Sequence, residues 1–344
     1  MSKRLAVIAV SLLLASSAWA QKNKLNLYIW SEYIDPEIVT NFEKQYDCKV
    51  TVDLYEDNES MVAKLQGGGT SLYDVVVPSD YIIPSMISQN LLAPLRHENI
   101  PNMKNINPTF TSREYDPGNK FTVPYQWGTV GIYVRMEKGK PIDETWGLLF
   151  DAKKQIGTFL MIDDLRACIG AALRYKGYSL NTVDRAQLKE ALDVLVDAKK
   201  RSLGFEGGVG GKNKVLARVC KAAMVYNGDA VRGMGEDEET YFFVPREGTE
   251  IWMDNMVVPA KAPHRDMAEK FVNYILDAKV GAQLSNFNQY ATPNAAAEQY
   301  INPDDKKNPA IYPTSEAMKN LEFVKDLGSN LRLYDELWTQ IKSK

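Results

Sequence analysis

Short apolar runs alternate with amphipathic stretches along most of the chain. Leu25–Ile29 is a β-rich run, and Asp35-Pro36 then supplies an N-cap followed by Pro at the first helical position. Ile38, Val39 and Phe42 form an apolar stripe at helical spacing. Lys49–Leu54 reads as strand, Ser60–Gln66 as helix stopped by Gly67-Gly68-Gly69, and Val75–Val77 as a strand covered on both faces. The order βαβαβ predicts an α/β fold with a mainly parallel sheet flanked by helices.

A second block of the same kind begins near Val130. Gly157–Ile162 reads as strand, Leu165–Tyr175 and Arg185–Lys200 as helices, and Ala223–Tyr226 as a buried strand. Phe242–Pro245 and Trp252–Val258 follow as strands, helices dominate from Met267 onward, and Asp304–Asn308 reads as a charged, Pro-flanked loop. No flexible linker separates the blocks, so two compact lobes joined by crossing strands are expected. Ligands of such sheets sit outside the carboxyl ends of the strands.

Ahead of the first strand, Lys3 and Arg4, the apolar Leu5–Leu14 and the small-residue Ala18-Trp19-Ala20 have the layout of a secretory signal, so residues 1–20 are expected to be removed. No Cys follows that site, which speaks against a lipid anchor. Loss of Lys3 and Arg4 would take the net charge from −3 to −5. No later run approaches the ~18–20 apolar residues needed to span a bilayer, so an exported soluble product is expected.

With 45% hydrophobic and 25% charged residues the composition is globular, which excludes fibrous and disordered classes, and 344 residues suit two domains. The Lys and Arg residues are scattered, which removes electrostatic support for a nucleic-acid surface. Cys48, Cys168 and Cys220 form no CxxC; either Cys168 and Cys220 are bridged or all three are buried thiols. His97 and His264 stand alone, so neither a zinc site nor a nucleophile–His pair has much to build on, and neither P-loop nor dinucleotide fingerprint is present. No metal, no cofactor and no enzymatic activity are expected.

The strand ends carry a biased set of residues. Leu25–Ile29 leads into Trp30-Ser31-Glu32-Tyr33, Val75–Val77 into Pro78-Ser79-Asp80-Tyr81, and Gly157–Ile162 into Asp163-Asp164. Ala223–Tyr226 leads into Asn227-Gly228-Asp229, and Trp252-Met253-Asp254 opens another strand. Aromatic faces attract ammonium groups, by about 0.5–1 kcal/mol exposed and roughly 2 when desolvated. Carboxylates accept charge-assisted hydrogen bonds from their N–H donors. Methylenes lying along the rings gain about 0.8 kcal/mol each from burial. Acids spaced along an aromatic slot therefore point to a linear polycation. Taken singly, each residue has a structural reading as well: Asp164 and Asp229 as helix N-caps, Ser79 and Asp80 as caps of a helix near Ile82, Trp252 as core and Glu32 as a loop charge. Recurrence at several strand ends favours the ligand reading.

The same segments resemble the periplasmic spermidine/putrescine-binding proteins that feed ABC importers. The resemblance rests on Tyr28–Tyr33 (YIWSEY), Tyr73–Tyr81 (YDVVVPSDY), Val123–Ile132 (VPYQWGTVGI), Ile162–Tyr178, Val225–Asp229, Trp252–Ala260 (WMDNMVVPA) and Tyr290–Ala297 (YATPNAAA), in one order over essentially the whole mature chain. It implies a two-lobed, type II solute-binding fold with two hinge crossings, lobe 1 being 21–129 plus 253–298 and lobe 2 being 130–252 plus 299–344. It implies a pocket at Trp30, Glu32, Tyr33, Ser79, Tyr81, Asp164, Tyr226, Trp252 and Asp254. Trp30, Tyr33 and Trp252 would line the methylenes, Glu32 and Asp164 would take terminal nitrogens, and Asp254 an inner or terminal one. Glu32 and Asp254 would come from one lobe, Asp164 and Asp229 from the other.

Three positions depart from that pattern: Ala167 stands where the spermidine binders carry Glu, Tyr226 where they carry Trp, and Val324 where they carry Gln. Asp229 matches an acid of the putrescine-preferring branch, and Asp80 adds a carboxylate where the spermidine branch is neutral. The resemblance thus implies a polyamine ligand without choosing between putrescine and spermidine. It further implies a periplasmic monomer whose partner is the membrane permease of an ABC importer. A sensor docking on a membrane signalling protein, or a receptor of the same fold for another cation, are the alternatives.

Overall fold

The computed structural model describes residues 23–137 and 139–344; the leader expected at residues 1–20 lies outside them. Ten strands form one sheet: β1 (Asn23–Trp30), β2 (Cys48–Tyr55), β3 (Val75–Val76), β4 (Thr122–Arg135), β5 (Phe159–Ile162), β6 (Phe205–Glu206), β7 (Ala222–Tyr226), β8 (Thr240–Phe243), β9 (Glu250–Val257) and β10 (Glu322–Phe323). Their order is β2-β1-β3-β9-β4-β7-β5-β6, with β10 paired to β9 and β8 to β4. At each end the pairing is parallel: β1 with β2 and β3, and β5 with β6 and β7. The middle is antiparallel, because β4 runs against β7, β8 and β9, and β3 runs against β9. Each half is therefore parallel over its outer strands, as expected, and the long-range pairing of two crossing strands adds antiparallel neighbours at the centre, so the sheet as a whole is mixed.

β4 makes that centre. All 14 of its residues are buried, and its partner changes along its length, from β9 over Thr122–Thr129 to β7 and β8 over Val130–Arg135. A strand serving two halves in turn is a crossing. Helices pack on both faces. Pro36–Tyr46 begins at the Asp35 N-cap, whose carboxylate accepts from Glu37 N–H, and buries Ile38 and Phe42. Leu165–Tyr175 begins at Asp164, which accepts from Ala167 N–H. The C-terminal Leu331–Ser343 buries Tyr334, Leu337 and Ile341.

Two local expectations change. Residues 304–308 are not all loop: Pro303–Lys307 is a one-turn helix, started by Pro at its first position. Of the two cysteine alternatives, buried thiols hold, since Cys168 and Cys220 are unbridged and all three cysteines are buried. No described helix is long and apolar enough to cross a membrane.

Candidate functional site

A narrow slot opens where the strand ends of the two halves face each other. It offers about 70 Å³ of water-accessible space, room for roughly five waters in line. Trp30, Tyr33, Ser79, Tyr81, Asp164, Tyr226, Asp229, Trp252 and Asp254 all line it, as do Arg166, Glu250, Tyr290 and Val324.

The aromatic wall is built by mutual packing. Trp252 meets Tyr226 edge-on at 5.8 Å and Tyr290 at 5.3 Å, and Tyr290 meets Tyr33 at 5.4 Å. Trp30 is fixed by its indole N–H donating to Val77 C=O at 2.9 Å and by the Tyr55 ring 4.6 Å away. Edge-to-face rings at these separations hold one another in place, so the slot keeps flat walls while it is empty.

Gly128 makes room for one of these rings. It pairs with Trp252 across the β4–β9 ladder. A Cβ there would stand 2.6 Å from the Trp252 ring and would also collide with the Asn227 side-chain oxygen. Gly128→Ala is therefore expected to lower thermal stability by about 1–3 kcal/mol through overpacking, and to weaken ligand binding by tilting Trp252. Unfolding curves and titrations of the variant check both effects; an unchanged melting point would contradict the close approach.

The acids are placed unequally. Asp254 is 5% exposed and accepts from Ser79 Oγ–H at 2.7 Å. Burial pushes its carboxyl up to about 7, against the opposing pull of Ser79 and the neighbouring Tyr33 hydroxyl. That hydroxyl favours the ionised carboxylate by proximity, yet does not reach hydrogen-bond geometry with any group and stays an unpaired donor. Asp164 does two jobs: one oxygen caps its helix at 2.8 Å from Ala167 N, and the other accepts from Tyr226 O–H at 3.0 Å. Burial raises its carboxyl too, opposed by those donors.

Asp229 sits in the first turn of Asn227–Glu236 and is not its cap, which is Tyr226. Burial raises it, and Arg232, whose Nη2 is 2.7 Å away, opposes the shift. The same guanidinium reaches Glu32 at 2.9 Å, and Lys212 Nζ is 3.6 Å from that carboxylate. Glu32 is thus spent on protein cations at the rim. Its backbone is left-handed, with φ of 52°, its side chain is half-exposed, and it is absent from the slot lining. Asp80 is also outside the lining: it is buried against the backbone N–H groups of Tyr81 and Met253. Ser79 caps a short 3₁₀ turn over Asp80–Ile82, and that turn puts Ser79 and Tyr81 in the slot lining and leaves Asp80 out of it.

Glu250, Tyr290 and Arg166 were not among the residues expected from sequence. Arg166 is 1% exposed; it donates to Lys325 C=O and Asn181 and stacks under Tyr81 and Tyr334. Five carboxylates and one guanidinium line the slot, so its field favours cations. Among the described residues, no group of three or more His, Cys, Asp or Glu is arranged to hold a metal.

Comparison with known proteins agrees with this geometry. Residues 37–314 match the family model of bacterial extracellular solute-binding proteins. The chain is 30% identical to the spermidine/putrescine-binding periplasmic protein of Escherichia coli, over 98% of this chain and 97% of that one. It is 32% identical to a putrescine-binding periplasmic protein of Pseudomonas aeruginosa over the full length of both. The crystal structure of a spermidine/putrescine ABC transporter substrate-binding protein from Streptococcus pneumoniae superposes with a TM-score of 0.78 at 32% identity, over 93% of this chain and 99% of that one. With its two halves, crossing strands and slot, the chain belongs to the bacterial extracellular solute-binding proteins, among the periplasmic spermidine/putrescine-binding family.

Proposed function

We propose that the protein is a periplasmic receptor that takes up putrescine or spermidine and delivers it to the permease of an ABC importer. One observation carries the ligand class: a thin slot walled by packed aromatic rings in which carboxylates outnumber cations. A buried, uncompensated carboxylate is unfavourable by several kcal/mol, and an ammonium group removes that penalty where a sugar or neutral amino acid does not. The family is one of bacterial extracellular solute-binding proteins, and in this reading the protein is a monomeric binding component of transport and not an enzyme.

In this reading Asp254 and Asp164 hold ligand nitrogens, Trp30, Tyr33, Tyr226, Trp252 and Tyr290 cover the methylenes, and Asp229 acts while shared with Arg232. The two lobes are 21–129 plus 253–298 and 130–252 plus 299–344. The change of β4 partner at Thr129–Val130 supports the first boundary. A ligand bridging both halves biases the hinge toward its closed form.

A titration with putrescine and spermidine is expected to give micromolar or tighter affinity, about −8 kcal/mol. The melting temperature should rise with ligand concentration. Binding of amino acids or sugars with no response to any polyamine would overturn the proposal.

A further inference from the structure

Glu250 has no role in the fold that its position explains. It opens β9, is 6% exposed, and its side-chain Oε2 is buried without a hydrogen-bond partner. Buried carboxylates are normally paired. It also lines the slot. Glu250, Trp252 and Asp254 are alternate residues of one strand, so all three face the same side. An acid, a flat ring and a second acid therefore stand in line along one wall.

The spacing suits a short diamine. Four residue steps along the strand separate the two acids by about 13 Å at the Cα atoms. An extended four-carbon diamine holds its nitrogens about 6 Å apart on ordinary bond lengths, and a hydrogen bond of about 2.9 Å at each end brings the reach close to that separation. Val324, one of the apolar replacements noted above, lines the slot and follows the β10 residues that pair with Glu250 and Ile251. Asp164 lines the same slot and is the like charge acting most strongly on Glu250, so a nitrogen held by Glu250 also relieves the repulsion between these two acids.

We propose that Glu250 is a specificity-determining anchor: it holds the distal nitrogen of the bound polyamine, and its spacing from Asp254 across Trp252 sets the preferred ligand length at that of a short diamine. The proposal rests on the polyamine reading of the slot. It replaces the acid missing at Ala167 with one from a different strand.

The test is calorimetric titration of putrescine and spermidine into the full-length mature protein and its Glu250→Gln variant, with unfolding curves for both without ligand. The parent is expected to prefer putrescine. E250Q should weaken putrescine binding about tenfold or more, compress the preference over spermidine, and leave the ligand-free melting point no lower, since the amide replaces a buried carboxyl that lacks a hydrogen-bond partner. A putrescine loss below about fivefold, or an unchanged preference, overturns the role of Glu250 while the polyamine reading stands. A parent that binds neither amine overturns the polyamine reading itself. Should E250Q not fold, Glu250→Asp keeps the charge but withdraws it by one methylene, and the same thresholds apply.

Discussion

Asp254→Asn should abolish the response to putrescine and spermidine while leaving the empty protein at least as stable as the parent. The two halves of this expectation share one cause. In the ligand-free slot Asp254 is a buried carboxylate with one hydroxyl partner, and burial holds its pKa near 7. The amide keeps the size and can still accept from Ser79, so the fold loses nothing and sheds a desolvated charge. The ligand loses its counter-charge. Leaving an ammonium buried without a partner costs about 3–5 kcal/mol, which removes micromolar binding from a thermal-shift or calorimetric assay. A variant with a much lower ligand-free melting point would show instead that Asp254 is structural.

Proton release is the second large effect. Below pH 7 Asp254 is mostly protonated in the empty protein, whereas polyamine nitrogens, like lysine, stay charged up to about pH 10. Binding must then expel the proton. Affinity is expected to fall about tenfold per pH unit below 7 and to flatten above pH 8. Titrations at pH 6 in buffers of different ionisation enthalpy should report release of at least one proton per site, since burial also raises the Asp164 and Glu250 carboxyls; buffer-independent heats at pH 6 would contradict it.

The same shift sets the stability of the empty protein. Its sign follows from the direction: the folded carboxyl titrates near 7 and the unfolded one near 4, so between those values the folded state holds a proton that the unfolded state has lost. Stability conferred by the Asp254 proton is full below about pH 4 and fades as pH rises to 7, a change of roughly 4 kcal/mol from this group. Saturating putrescine should offset that decline.

How much of this could be read from the chain depends on the range of the interaction. Trp30, Asp164 and Trp252 were legible because each ends or opens an apolar run, and a strand end is where such sheets bind. Helix starts at Asp35 and Asp164 were legible because capping is local. The direction of the central strands was not, since β4 and β9 pair over more than a hundred residues of separation. Glu250 was missed because the strand read from sequence began at Trp252, two residues after the start of β9. Counting back by two from Asp254 through Trp252 would have found it. Tyr290 follows a helix closed by Gln289 in a left-handed conformation, and nothing near it in the chain marks a site. The ion pairs of Glu32 were not legible either: its carboxylate meets Arg232 and Lys212, about two hundred residues away, and no local pattern shows that.

The central claim is that one linear polycation lies along this slot with its nitrogens on carboxylates. A crystal structure of the protein grown with putrescine tests it most directly. The account predicts a single extended diamine over Trp252, one nitrogen within about 3 Å of Asp254 and the other within about 3 Å of Asp164 or Glu250. A slot that stays empty while putrescine occupies another surface, or holds it with both nitrogens away from these acids, would contradict the account.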